Sequence, residues 1–303
     1  MMNMTVFQRE ISGLLPETEL RLNEPMAKHT SFRIGGPAEV MAFPKNKEEL
    51  SALLKTSAIL DRKAVILGAG TNILAPDRGL EGLVICLKDC MGGMEQLDGN
   101  RIRVAAGVTM TRAAVYAAGL GLSGLEFAHG IPGTVGGGVY MNAGAYGGEI
   151  CQVCECVDVM GADGSVRTLA NEEMGFSYRH SVLEECGDIV LSAVFALENK
   201  PTDEIRSRMR ELMEKRSASQ PLDLPSAGSA FKRPTGGYAA ALIDQAGLKG
   251  FRIGDAAISE KHAGFAVNLG NATACDMRQL LRQVSDKVFE NSGIRLEPEV
   301  RIW

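Results

Sequence analysis

Hydrophobic and polar positions along this chain change period several times, and each change marks an element. Asn46-Lys47-Glu48-Glu49 has the form of a capping box, and Leu50, Leu53 and Leu54 then share one face, which predicts a helix ending near Asp61. Apolar runs of strand length follow at 64–67 and 83–87. Asp98-Gly99-Asn100 separates the alternating runs 94–97 and 101–105, and Ala162-Asp163-Gly164 separates 153–160 from 165–169, so two hairpins are expected. Between them 111–119 reads as a short Ala-rich helix, and 188–197 as a last strand before a boundary at Asn199-Lys200-Pro201. Beyond it a helix starts at Thr202, with Ile205, Met209, Leu212 and Met213 on one face, and a second covers about 238–248. The longest begins at a Thr273-x-x-Asp276 cap, turns Met277, Leu280, Leu281, Val284 and Val288 inward, and stops at Gly293. Short strands are expected at 256–258, 265–268 and 300–303, and residues 1–27 read as an N-terminal helix and connector.

The length of 303 residues suits two or three domains sharing a cleft, because single cores stop growing near ~250–300 residues. A net charge of −5 offers no basic field for nucleic acid, so an anionic substrate has to be met by locally placed Arg and Lys. No apolar run approaches the ~18–20 residues of a membrane helix, and the first ten residues lack a signal peptide's basic start and apolar centre; a cytoplasmic protein with no membrane partner is expected. Seven cysteines, an odd number, fit reduced thiols rather than a disulfide framework. Cys151, Cys154 and Cys156 have metal-like spacing, but alternation over 152–160 points Cys154 and Cys156 to one face and Cys151 to the other; with no fourth ligand nearby, no metal is expected.

Chemistry enters with glycine. Nine of the 27 residues in 124–150 are glycine, Lys and Arg are missing from the run, and its carboxylates, Glu126 and Glu149, stand near its ends. Such a loop offers bare backbone, a cradle of N–H groups for a phosphorylated cofactor, and Pro132 stiffens the turn that presents Gly133 and Thr134. A second glycine turn, Gly68-Ala69-Gly70-Thr71-Asn72, follows the run 64–67 directly. It is not a Rossmann fingerprint, because Ile73 stands at the third glycine position and Pro76 argues against a long helix.

These two turns, with Lys28-His29-Thr30-Ser31-Phe32-Arg33-Ile34-Gly35-Gly36-Pro37-Ala38 ahead of them, resemble the UDP-N-acetylenolpyruvoylglucosamine reductase family in order and spacing from about Lys28 to the C-terminus. The resemblance implies an α+β protein with a two-lobed, PCMH-type FAD-binding domain over 28–199 (lobes about 28–95 and 96–199) and a smaller α+β substrate domain over 200–303. It also implies NADPH as co-substrate, a UDP-sugar as substrate, and a role in peptidoglycan precursor synthesis without an obligate protein partner. FAD would be held without a covalent link by Gly68, Ala69, Gly70, Thr71 and Asn72 and by Gly130, Ile131, Pro132, Gly133, Thr134, Gly136, Gly138 and Asn142.

Three polar segments outside the core pattern, 178–181, 225–234 and 296–301, match the family's catalytic motifs, which implies catalytic roles for Arg179, Ser229 and Glu299. An Arg beside the enolpyruvyl group would stabilise developing charge, and a Ser hydroxyl, a very weak acid, would give its proton only to a carbanion-like centre. Glu299 is left three roles: protonated acid, partner of a water, or group orienting Arg179. Arg216, Lys232 and Arg233 are the cations expected on diphosphate or carboxylate, with Tyr178 beside them in the substrate site. Of the four histidines none stands in a Gly-x-Ser-x-Gly context, which argues against hydrolysis, and His129, next to Gly130, is expected to pack as a neutral imidazole. The short segment 181–188 leaves no room for an aromatic-bearing loop over substrate, as in the family's lidless branch.

Overall fold

The computed structural model describes residues 4–303. Its chain divides into two compact units: one holds residues up to Leu22, Glu39–Ala69 and Glu81–Lys215, the other Asn23–Ala38, Gly70–Leu80 and Arg216–Trp303.

The first unit opens with the helix Val6–Leu14, where Thr5 and Gln8 form a reciprocal capping box. The stretch after it, expected as a connector, is the strand Glu19–Pro25. Leu20 and Leu22 are drawn toward the core while Glu19 and Arg21 stay in water, the period of two that a half-buried strand requires. It leads a sheet of order Glu19–Pro25, Pro37–Phe43, Leu80–Cys86, Ala64–Leu67, the last two strands parallel. On the helix Lys47–Ile59, Asn46 accepts from the Glu49 N–H, but the Glu49 carboxylate turns to the Lys45 N–H, so the cap is half of the expected box.

A second, antiparallel sheet has the order Val166–Ala170, Cys154–Met160, Ile189–Ala196, Arg101–Ala105, Met94–Gln96, and contains both expected hairpins. Leu83 and Ile85 of the first sheet share a core with Met160, Ile189 and Leu191 of the second. The expected common face for Cys154 and Cys156 is not there. A bulge sets Cys154 opposite Phe195 and Cys156 opposite Val194, and the extra residue reverses the alternation: Cys154 is buried with Val157 and Val159, and Cys156 turns outward with Asp158. Part of the long glycine run, expected as open loop, is the helix Val135–Tyr140, capped by Thr134 and packed against Ile189–Ala196.

In the second unit the strands Ser226–Ser229, Phe265–Asn268, Ala256–Ile258 and Arg252–Ile253 form an antiparallel sheet in that order, and the helix Ala274–Ser292 packs on its last two strands. The Thr273/Asp276 box, the left-handed Gly293 stop and the buried stripe of Met277, Leu280, Leu281, Val284 and Val288 are all as expected. The helix Ala239–Gln245 is shorter than expected and leaves Tyr238 exposed. The helix Thr202–Ser219 belongs to the first unit as far as Lys215; in it Ile205, Met209 and Leu212 are buried while Met213 faces solvent. Arg301–Ile302 pairs in parallel with Ile73–Leu74, which ties the C-terminus to the Gly70–Asn72 turn. Among the described residues no helix is long and apolar enough to cross a membrane.

Candidate active site

In the first unit the two glycine turns touch. A Cβ on Gly68 would lie 2.6 Å from Thr134 Oγ1, so any larger residue requires that hydroxyl or the backbone to shift. Among the described residues, the N–H groups of Gly68 and Ala69 and of Gly130, Gly133 and Thr134 donate to no protein acceptor, and the buried His129 Nδ1 has no hydrogen-bond partner. A buried side-chain nitrogen without a partner is rare in native proteins, and with unspent backbone amides around it this cluster is set up for a polar ligand. Gly136 and Gly138, expected in the same cradle, serve packing instead. Their amides are spent on the carbonyls of Ala106 and Thr134, and their missing side chains make room for Ala106 and Met110. The Ile131 amide is likewise bonded, to the Ala128 carbonyl.

Asn142 also departs from its expected place against a cofactor. It is 1% exposed; its Nδ2 donates to Glu149 Oε2 (3.1 Å) and to the Ser177 carbonyl (3.0 Å), and its Oδ1 accepts from the Cys151 N–H (3.0 Å). Its own N–H is bonded to the Val139 carbonyl. Ser177 and His180 exchange two backbone hydrogen bonds, with Tyr178 and Arg179 at the tip of the turn. Arg179 has φ +57°, a left-handed conformation that costs a side-chain-bearing residue roughly 1–2 kcal/mol. Its Nη2 donates to the Gly144 carbonyl at 3.3 Å, and its guanidinium lies 5.0 Å from the ring centre of the exposed Tyr178.

The second unit brings Ser229 and Glu299 together. Ser229 ends its strand after a bulge, with Ser226 opposite Val267 and Ser229 opposite Phe265, and Gly228 at φ +79° takes up the extra residue. Bulges re-aim side chains, and here the Ser229 side chain emerges into solvent. The next residues run antiparallel to 297–299: the Glu299 N–H donates to the Ala230 carbonyl (2.9 Å) and the Lys232 N–H to the Glu297 carbonyl (2.9 Å). Asn72 Nδ2 donates to the Glu299 carbonyl at 3.1 Å, and the Asn72 carbonyl accepts from the Arg301 N–H. The turn expected to contact a cofactor thus also holds the Glu299 segment. The Lys232 ammonium pairs with Glu297 at 3.4 Å. Arg233 stacks over Tyr238 at 4.8 Å, and the partly buried Arg216 sits in the last turn of its helix.

A family model described as the C-terminal domain of UDP-N-acetylenolpyruvoylglucosamine reductase matches residues 220–303, and one described as an FAD binding domain matches residues 38–170. A UDP-N-acetylenolpyruvoylglucosamine reductase of Agathobacter rectalis is 46% identical over 312 residues, covering 99% of each chain. The chain belongs to the UDP-N-acetylenolpyruvoylglucosamine reductase family. Its namesake from Caldanaerobacter subterraneus is 46% identical over 97% of this chain and 96% of its own. The crystal structure of the Thermus caldophilus reductase superposes with a TM-score of 0.81 at 39% identity, covering 95% of this chain and 99% of that one.

The FAD binding domain of this reductase family spans both unspent amide groups of the first unit, and those amides with His129 Nδ1 fit a cofactor rich in phosphate and carbonyl oxygens. Sequence reasoning missed Glu149 and Ser177 as partners of Asn142. The one signal was that Glu149 is one of two carboxylates in a glycine run without Lys or Arg, where each needs a donor. Glu126 answers the same need, accepting from Ser123 Oγ and the Gly124 N–H. The cysteines stay outside this chemistry: burial pushes the Cys154 thiol up to about 12 and Cys90 to about 11, and among the described residues no His, Cys, Asp or Glu side chains group as a metal site.

Proposed function

We propose that this chain reduces the enolpyruvyl group of UDP-N-acetylglucosamine enolpyruvate to the lactyl ether of UDP-N-acetylmuramate, a peptidoglycan precursor, with NADPH as electron donor. Near-full-length identity to named reductases supports this reading, and the pairing of the Ser229 strand with the Glu299 segment supports the assignment of roles. In this reading residues 28–199 hold FAD and 200–303 receive the UDP-sugar. Bound FAD, recharged by NADPH, supplies the hydride.

The rest of the chemistry falls to side chains. Hydride addition at the terminal alkene carbon leaves negative charge on its neighbour, conjugated with the substrate carboxylate. Arg179 stabilises that charge more strongly than it stabilises the neutral alkene, which is what lowers the barrier. Ser229 gives its proton to the carbanion-like carbon, a centre basic enough to take it from a hydroxyl. Glu299, on the segment whose backbone pairs with Ala230 next to Ser229, orients the donor and restores its proton. Arg216, Lys232 and Arg233 are the cations for the diphosphate, with Arg233 and Tyr178 offering stacking faces as well. The segment before Ile189 holds the four-residue helix Leu183–Cys186 and little else, which supports reading the chain as a member of the lidless branch.

The test separates the half-reactions. NADPH oxidation should depend on the enolpyruvyl substrate and give parallel double-reciprocal lines. Ser229→Ala should leave flavin reduction by NADPH intact while slowing reoxidation by the UDP-sugar by ~10²–10⁴-fold, the usual worth of general acid catalysis. Oxygen uptake coupled to alcohol oxidation, with no response to NADPH, would identify a flavin oxidase instead.

A further inference from the structure

The turn that carries Arg179 is short, exposed at its tip and left-handed at the arginine, yet Arg179 has to stay aimed for the proposed chemistry. Two things hold it. Its backbone is set by the Ser177–His180 hydrogen bonds, and its guanidinium is steadied by the Gly144 carbonyl. Both supports lead to one buried amide. Asn142 gives one N–H to the Ser177 carbonyl, which already accepts from His180, and the other to the carboxylate of Glu149, whose residue is the cross-strand partner of Gly144. From this geometry we infer that Asn142 is a positioning residue for Arg179, fixing the turn beneath the arginine and the hairpin that holds its guanidinium. The inference rests on the catalytic role of Arg179 proposed above.

Asn142 itself has φ +41°, a conformation Asn tolerates and Gly adopts freely. Asn142→Gly therefore removes the side-chain bonds without forcing the backbone. In FAD-loaded enzyme followed by stopped-flow absorbance, this variant should retain flavin reduction by NADPH within about 2-fold, the tolerance of uncoupled sites. Reoxidation by UDP-N-acetylglucosamine enolpyruvate should slow about 10- to 100-fold, the scale of an ångström-level misplacement. Added to Arg179→Ala, Asn142→Gly should change reoxidation by less than about 2-fold, since a residue acting through Arg179 has nothing left to position. Hydrogen exchange supplies a readout independent of turnover: the Ser177 and His180 amides should exchange faster in Asn142→Gly, because their turn has lost its anchor.

Asn142→Asp keeps the shape and the acceptor for the Cys151 N–H but has no N–H to give, so it should behave like the glycine variant and carries the test if that variant folds poorly. Losses that multiply with Arg179→Ala, equal slowing of both half-reactions, or release of FAD with unchanged exchange at 177–180 would overturn the assignment. If wild-type enzyme is reduced by NADPH but not reoxidised by the enolpyruvyl substrate, the proposed function fails, and the exchange experiment still decides whether Asn142 holds the turn.

Discussion

Replacing Gly68 with alanine tests whether the contact between the two glycine turns builds the cofactor site. The new methyl would sit 2.6 Å from Thr134 Oγ1, inside any real contact distance, and Thr134 is only 2% exposed. One relief rotates the Thr134 hydroxyl away and forfeits the cap it gives the Gly137 N–H, a loss of ~1 kcal/mol. The other shifts backbone against a packed core, at ~1–3 kcal/mol. At roughly 2–4 °C per kcal/mol for a chain approaching this size, the apo-protein should melt about 2–12 °C lower. Either relief also displaces an amide of the cradle. Losing one hydrogen bond to a charged oxygen is worth ~1.5–3 kcal/mol, so FAD should bind about 10- to 100-fold more weakly. Gly137→Ala is the control, because its methyl meets only Thr134 Oγ1 at an ordinary 3.6 Å and lies within a helix. There alanine should gain ~1 kcal/mol of helix propensity and leave FAD affinity unchanged. Flavin titration of apo-protein and thermal melts of both variants give the answer. Unchanged affinity in Gly68→Ala together with weakened affinity in Gly137→Ala would place the cradle elsewhere on the loop.

Further outcomes follow from other contacts. Asn72→Ala frees the Glu299 carbonyl, and because one such bond is worth ~0.5–1.5 kcal/mol, kcat should fall roughly 2- to 10-fold with the FAD dissociation constant unmoved; a large rise in that constant would return Asn72 to the cofactor. A thiol titration with a disulfide reagent at neutral pH should label the exposed Cys186 and Cys275 first and Cys154 last, since burial both shields Cys154 and holds its thiol protonated up to about 12; early labelling of Cys154 would contradict the bulge that turns it inward. The Asp276 carboxylate is held below its ordinary 3.8 by the Thr273 N–H and hydroxyl, so its capping contribution is present above the unfolded value and lost as pH falls through the folded one; the melting gap between wild type and Asp276→Ala should be constant near neutrality and close in acid, and a gap that widened in acid would refute the cap.

The helix Ala274–Ser292 was legible from end to end because cap, stripe and stop agree, each a local signal within one turn of the residue it controls. Glu19–Pro25 was not, although Leu20 and Leu22 alternate with polar neighbours; seven residues ending at a proline give too short a record for period two to stand out, and pairing with Pro37–Phe43 supplies the rest. Val135–Tyr140 runs against propensity outright. Three consecutive glycines form a poor helix, and what makes this one is tertiary, the close fit of Gly136 on Ala106 and Gly138 on Met110. Cys154 and Cys156 failed for a third reason: a bulge inserts one residue and inverts every face after it, and nothing in the local pattern announces it.

The site divides along the same line between local and distant causes. Motif order identifies the family and points to Arg179, Ser229 and Glu299, but what each glycine-run residue does depends on partners far along the chain: Ser177 for Asn142, and Glu299 for Asn72. Both asparagines lie in loops whose glycines would by themselves be pliable, and both spend a side-chain amide on a carbonyl of, or next to, a segment that carries a candidate catalytic side chain. A glycine-rich loop can leave its amides open to a ligand only if something else fixes its path, because glycine loses the most conformational entropy on ordering. A side-chain amide meets that need well, since it binds backbone at two or three points and leaves the loop's own N–H groups unspent. Asn142 does this for the far end of the glycine run, at the hairpin of Gly144 and Glu149 and at the turn of Arg179, while the helix Val135–Tyr140 stands between that anchor and the amides offered at 130–134.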